Sequence, residues 1–426
     1  MNKTKVVTLD NGLKIILGED KTKHRSIGAL FVFAGGNDTF FYKNDEEIHM
    51  PKGVAHFLEH YLLEHSMYGD ATTMFSNDYI ETNGLTSSNR TYYYINTVHD
   101  FKENLVKLLR IVNEPIFKEE DIHSVKKPIL SEINQRNDRP NNDFYKYVFD
   151  SIYDSIEYDP TLGEVKDIAN MDIYTLKSFH DAFYRPSNQM LILSGNFDSN
   201  EIVKLVEDTY NSFNVNEDKI VKNKKEESPF VIRKDGTFID DTKNEYLKIT
   251  FKIKIDMFSP LEKNKLDYYF SYLLKYNFGD SSPLFDSLIK DKLTLYSIDY
   301  DYDPETLKDY VILSIGVYTS EFDKVSELVL HQMKNLEHST DEFKIWKNNK
   351  IIDIINSEEN INWISKNFTN NVLFYDLYQY DDINFIKSLD ENECIEFINK
   401  LDLSNYSIIQ RINEDEKQDN YDGKTI

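Results

Sequence analysis

Two short strands open the pattern of apolar and polar positions. In Thr8-Leu9-Asp10-Asn11-Gly12-Leu13-Lys14-Ile15-Ile16-Leu17 an Asn-Gly turn precedes an apolar run, and Ile27 to Ala34 is a second run closed by Gly35-Gly36. The two runs are expected to pair. Apolar residues then recur at 54, 57, 58, 61 and 62, the spacing of one helical face, directly after Pro51-Lys52-Gly53. Ala71 to Tyr79 predicts a short helix, Thr91 to Asn96 a strand, and Phe101 to Val112 and Asp121 to Asn137 two further helices. Pro128 removes a backbone donor inside the last of these, so a kink or restart is expected one turn before Glu132. Helical segments fill 142 to 183, an apolar strand ends at Gly195-Asn196, and a helix runs from Glu201 to Phe213.

At Asn214-Val215-Asn216-Glu217-Asp218-Lys219 the composition turns polar and charged, through Lys222-Asn223-Lys224-Lys225-Glu226-Glu227, as a linker does. Beyond it the pattern returns in weaker form. A strand at Tyr246 to Ile255 precedes a helix whose Tyr272-Leu273-Leu274 echoes Tyr61-Leu62-Leu63, and Leu403 to Ile409 stands where Ser187 to Leu193 stood. The chain therefore divides into a first domain at 1–213, a linker at 214–229 and a homologous second domain at 230–426.

Length and composition narrow the function classes. The 426 residues allow two or three domains, and 40% hydrophobic with 14% aromatic content suits a globular protein. No apolar run approaches the roughly 18 residues of a membrane span, and Met1 to Leu17 lacks the apolar core of a signal peptide. A single Cys394 leaves no intrachain disulfide, so a cytoplasmic location is expected. With 74 acidic against 49 basic residues the net charge is −25, which disfavours nucleic acid and anionic membrane as partners.

The candidate chemistry lies on the helix after Gly53. Each helical residue advances about 100°, so His56 and His60 fall about 40° apart and Glu59 about 60° to the other side of His56. His65 is turned about 180° away and stays outside the group. Two imidazoles four residues apart suit one Zn²⁺ per chain, and a carboxylate beside them suits a general base. The order is H-x-x-E-H, inverted from the commoner H-E-x-x-H. In a chain with ten His, composition alone predicts roughly 0.02 such matches.

These residues resemble the pitrilysin-like inverzincins, which include mitochondrial processing peptidases and insulin-degrading enzymes. The resemblance implies a third zinc ligand on a second helix some seventy residues downstream, where Ser131-Glu132-Ile133-Asn134 places Glu132. It also implies a substrate-pairing strand with an Asn-Ala-x-Thr core; Asn83 and Thr86 match it as substrate contacts, with Gly84 in place of Ala. Tyr184-Arg185-Pro186-Ser187-Asn188 leading to Gly195-Asn196 matches the strand that closes the family's first half.

Three departures stand out. Many members carry an acid seven positions before the third ligand, where this chain has Val125. By the register of the repeat, Asp267, Phe270 and Ser271 stand for His56, Glu59 and His60, so the second copy has no zinc site. Of the Arg and Tyr that members supply from this domain to the substrate, Tyr296 remains as a candidate contact but Ile289 replaces the Arg.

The implied fold is α+β, two homologous domains that are each a mostly antiparallel or mixed sheet flanked by helices. The implied activity is a zinc endopeptidase acting on extended or unfolded peptides in a closed chamber. Because the chain supplies two of the family's four domains and lacks the Arg, a heterodimer with a homologous zinc-free chain is expected ahead of a homodimer. Relatives of this size serve general peptide turnover or mature a dedicated precursor such as a bacteriocin, and both remain open. The competing reading is a non-catalytic scaffold subunit, a class that characteristically loses the zinc residues retained here.

Overall fold

The computed structural model describes residues 5–214, 218–222, 226–303, 309–358 and 382–414. In chain order the elements begin β1 (Lys5–Thr8), β2 (Lys14–Glu19), β3 (Ser26–Val32), β4 (Phe40–Lys43), β5 (Glu46–His49), α1 (Val54–Glu64), α2 (Ala71–Asn77), β6 (Glu81–Thr86) and β7 (Thr91–Thr97). They continue α3 (Phe101–Asn113), α4 (Ile122–Asn137), α5 (Asn142–Phe149), α6 (Val165–Ala169), α7 (Ile173–Phe183), β8 (Gln189–Gly195), α8 (Ser199–Tyr210) and β9 (Ile220–Lys222). The second half holds β10 (Asp235–Asp240), β11 (Tyr246–Lys254), α9 (Pro260–Phe278), α10 (Pro283–Lys290), β12 (Asp299–Asp303), β13 (Tyr310–Tyr318), α11 (Phe322–Lys334), α12 (Thr340–Glu358), α13 (Asp382–Ser388), α14 (Glu391–Asn399) and β14 (Tyr406–Asn413). Among the described residues no helix is long and apolar enough to cross a membrane.

The chain forms two compact units. The first is built from the residues up to Pro140 and from Asp159–Lys225; the second takes Asn141–Tyr158, Glu226–Asn356 and 382–414. In the first, six strands run in the order β1-β2-β8-β3-β7-β6, antiparallel except for the parallel pair β2 and β8. The runs read as neighbours, β2 and β3, are thus separated by β8. All seven residues of β8 and all seven of β3 are buried, so both strands are apolar enough to take the middle of the sheet. Among the described residues β1 and β6 are the edge strands of this sheet.

α1 starts at Gly53, whose φ of 80° is a left-handed conformation that favours glycine, and a Cβ there would lie 2.6 Å from the Leu162 carbonyl. Phe57, Leu58, Tyr61 and Leu62 then enter one core with Val125, Ile129 and Ile133 of α4 and with Leu176, Phe179 and Phe183 of α7. That packing explains why α4 runs through Pro128 without the restart that was one of the two expected outcomes, a kink being the other: a single lost backbone bond is outweighed by a buried apolar face.

Two boundaries differ from the sequence reading. Residues 142–158, expected in the first domain, pack with the second unit, because Phe144 and Val148 of α5 bury against Tyr246 and Ile409 while Ile152 and Tyr153 bury against Val231 and Ile312. The buried Lys252 ammonium fixes the same segment, donating to the Ile152 carbonyl at 2.9 Å and to Glu227 Oε1 at 2.5 Å. Within the expected linker, β9 forms a strand antiparallel to β4.

The second unit repeats the design in the order β10-β14-β11-β13-β12, again with one parallel pair, β10 and β14, and the rest antiparallel. Both sheets are mixed and flanked by helices, as an α+β fold requires.

His180 of α7 supplies a test of the first unit's packing. Its Nε2–H donates to the Val112 carbonyl at 2.9 Å and burial pushes the imidazole down to about 4. The unfolded chain therefore takes up this proton first as pH falls. Stability is full above about 6.5, falls as pH drops toward 4, and the total loss is about 3 kcal/mol. Between pH 7 and pH 5, denaturant unfolding of the native protein should lose about 2 kcal/mol more than that of His180→Gln. Parallel pH profiles would place His180 outside the core.

Candidate metal centre

Nine of the eleven residues of α1 are buried, and they include the two polar side chains His56, 8% exposed, and Glu59, 6% exposed. α4 lies beside α1 and brings Glu132 to the imidazoles. Glu132 Oε2 is 3.4 Å from His56 Nε2 and Glu132 Oε1 is 3.7 Å from His60 Nε2. One ligand atom from each of the three side chains lies within 4.8 Å of the others, and no other such group occurs among the described residues. Three donors of a tetrahedral Zn²⁺ with bonds near 2.1 Å sit about 3.4 Å apart. The donor set and the observed separations fit that ion.

Glu59 faces the same cleft without joining the donor group. Its Oε2 accepts a hydrogen bond from the Thr86 hydroxyl at 2.9 Å, and its Oε1 lies over Gly84, where a Cβ would come within 2.5 Å. Gly84 in place of the family's Ala thus gives the carboxylate room against β6. Burial raises the Glu59 pKa; His60 and the Thr86 hydrogen bond act against this, and Glu132 and Glu64 add to it.

The two imidazoles differ in their surroundings. His56 is pushed down to about 3 by burial and by His60. For His60 burial acts downward, but the Glu64 hydrogen bond and the charges of Glu59, Glu132 and Glu64 outweigh it and raise the pKa. His60 Nδ1 is 3.2 Å from Glu64 Oε1, whereas His56 Nδ1 is buried with no hydrogen-bond partner among the described residues. His65 points away, bonded through Nε2 to the Ser124 hydroxyl at 2.8 Å.

A cleft of about 520 Å³ holds these groups and is walled by Asn83 to Thr86, Thr72, Arg139 and Asp159. Along β6 the exposed Asn83 and Leu85 alternate with the half-buried Thr82, Gly84 and Thr86. Asn83 and Thr86 therefore project to opposite faces of the strand. Thr86, expected as a substrate contact, has its hydroxyl committed to Glu59. Asn83 stays exposed, its Oδ1 accepting from the Gly84 N–H at 2.9 Å. Tyr296 belongs to the second unit, 49% exposed, its ring packed on Tyr318 at 5.1 Å. Sequence reasoning missed Glu64, although its four-residue step from His60 was visible, and missed the cleft walls at Arg139 and Asp159, which carry no local signal.

Residues 14–158 match the family described as insulinase, peptidase family M16, and residues 170–349 match the peptidase M16 inactive domain. The chain belongs to the pitrilysin-like M16 family. Similar to it is the uncharacterized zinc protease YmfH of Bacillus subtilis, 26% identical over 373 residues, or 86% of this chain and 84% of that one. Among solved structures, a putative M16-like peptidase from Alicyclobacillus acidocaldarius shares the fold with a TM-score of 0.82 at 20% identity, over 97% of this chain and 98% of that one. A protease from Helicobacter pylori does so with 0.78 at 19% identity, over 96% and 99%. M16 membership agrees with a donor group confined, among the described residues, to the first unit of the chain.

The donor geometry makes a direct prediction. Glu132→Ala should weaken zinc binding by more than about 10²-fold in a chelator-competition titration, whereas Glu119→Ala and Glu120→Ala, on the exposed turn before α4, should leave it unchanged. Native affinity in the Glu132 variant would place the third ligand elsewhere.

Proposed function

We propose that this chain is a zinc-dependent endopeptidase that hydrolyses extended or unfolded peptides and works as the zinc-bearing subunit of a heterodimer. The observation that carries the reading is the convergence of His56, His60 and Glu132 within 4.8 Å, with the Glu59 carboxylate beside them yet outside the donor set. His56 and His60 would hold the ion through Nε2 and Glu132 through its carboxylate. Zinc, when bound, lowers the pKa of water toward 7 and polarises the scissile carbonyl.

The chain's own groups do the rest. Glu59 takes the attacking water's proton on its carboxylate and returns it to the departing amine nitrogen. Burial raises its pKa, which makes the carboxylate a stronger proton acceptor. The Thr86 hydroxyl holds the carboxylate in place. The free edge of β6 offers unpaired backbone groups to a peptide in extended form, which gives affinity independent of side chains. Such an edge favours an unfolded stretch over a folded substrate.

Heterodimer formation is inferred from Ile289. It stands at the end of α10 where the family's substrate-contacting Arg is expected, and it is 40% exposed, so no guanidinium is available there. A homologous chain with an intact Arg and Tyr and without the zinc motif would supply what this one lacks. Opening for peptide entry would then accompany each turnover.

Two experiments test these statements. Glu59→Gln should retain about one zinc per chain and lower kcat by at least about 10²-fold; joint loss of metal and activity would make Glu59 a ligand. For the heterodimer, the purified chain is assayed on one unfolded peptide with and without the candidate partner. Strong cleavage by the lone chain, unchanged on adding the partner, would sink that part of the reading.

A further inference from the structure

Every zinc-bound imidazole has a second nitrogen, and what that nitrogen bonds to sets the tautomer, the ring orientation and the basicity of the ligand. The two histidines of this chain are treated unequally. Val125 of α4, which faces the same core as α1, is fully buried and apolar, and its side chain offers no hydrogen bond. His56 Nδ1 has no hydrogen-bond partner among the described residues. His60 Nδ1 alone meets a carboxylate, Glu64 Oε1, at 3.2 Å.

We propose that Glu64 is a positioning residue for the metal centre, accepting the Nδ1–H of His60 so that the Nε2 lone pair is directed at the ion. This rests on the zinc reading given above. Glu64 is itself outside the donor group, because its carboxylate meets the ring nitrogen opposite the one that faces Glu132. Helical geometry supplies the contact without help from another element. Residues four apart on one helix face each other, and Glu64 occupies the last residue of α1. The orienting acid therefore comes from the zinc helix itself, one turn past the second ligand, instead of from α4. The working signature lengthens to His56-x-x-Glu59-His60-x-x-x-Glu64.

The placement also carries a load that is not shared. Without Glu64 the neutral His60 ring distributes its proton over both nitrogens and turns more freely, and binding zinc must then fix tautomer and orientation together. His56 has no hydrogen bond at Nδ1 to compensate. The simpler account of the contact is an ordinary pair on a helix surface, Glu64 being 31% exposed in its side chain, and such a pair affects helix stability slightly and metal affinity not at all.

The test compares the full-length native chain, Glu64→Ala and Glu64→Gln in zinc competition against a chelator, with unfolding of the metal-free proteins measured alongside. Glu64→Ala should weaken zinc binding by about 10- to 100-fold, the usual cost of losing an outer-shell partner. Glu64→Gln keeps a carbonyl oxygen for the Nδ1–H and should recover most of that loss. The metal-free unfolding midpoints should agree within about 2 °C. Equal zinc affinity in the native chain and Glu64→Ala overturns the proposal, as does a Gln variant no better than Ala. Failure of the native chain to bind zinc would overturn the function reading instead, which keeps the two failures apart.

Discussion

The structure turns on a costly arrangement, the burial of polar groups along the inner face of α1. A helix with nine buried residues would ordinarily present only apolar side chains to its neighbours, and here that buried set includes His56 and Glu59. A buried imidazole and a buried carboxylate each lose solvation, which the shifts of both groups record: His56 is driven toward its neutral form and Glu59 toward protonation. Such a face is stable only if something compensates. Apolar packing of Phe57, Leu58, Tyr61 and Leu62 holds the helix in position, while the Thr86 hydroxyl and the Glu132 carboxylate answer the polar atoms.

The edge strand follows from the same constraint. β6 is the element that meets Glu59, through Gly84 and Thr86, and among the described residues it is also one of the two edge strands of the sheet. Its two faces divide the labour. The half-buried residues at alternate positions seat the Glu59 carboxylate, and the exposed Asn83 and Leu85 look outward. A peptide added along this edge would be registered against the strand that fixes Glu59.

Much of this was legible in the residues, and the failures have physical causes. The H-x-x-E-H spacing placed three side chains on one face because helical periodicity is local and rigid. Glu132 needed the family resemblance, since nothing in the sequence between tells how α4 docks on α1. The bond from Thr86 to Glu59 was not foreseen because a match to a motif ignores the pleat, which sends residues three apart to opposite faces of a strand. The pairing of β2 with β3 was misread for a related reason: the strand between them, β8, arrives from more than 150 residues later, and the only hint was its unbroken apolar run. Likewise Phe144 and Val148 announce an amphipathic helix but not which core receives it. Local patterns fix elements; partners separated by long stretches of chain are settled by packing.

The second unit shows what the helix–strand contact becomes when the chemistry is gone. By the register that sets Tyr272-Leu273-Leu274 on Tyr61-Leu62-Leu63, Asp267 takes the place of His56 and Phe270 that of Glu59. The edge strand still reaches across: the Tyr302 hydroxyl of β12 donates to Asp267, as Thr86 of β6 donates to Glu59, and the Tyr302 ring lies 5.0 Å from that of Phe270. One contact is thus a hydroxyl on the buried Glu59 carboxylate, and the other is a half-buried tyrosine that is hydrogen-bonded to Asp267 and packed on an aromatic ring. Replacing an imidazole and a carboxylate with Asp267 and Phe270 leaves one ionisable group, already hydrogen-bonded, where the first unit has several. The second copy therefore keeps the sheet order and the edge contact without the donor set, because those depend on packing.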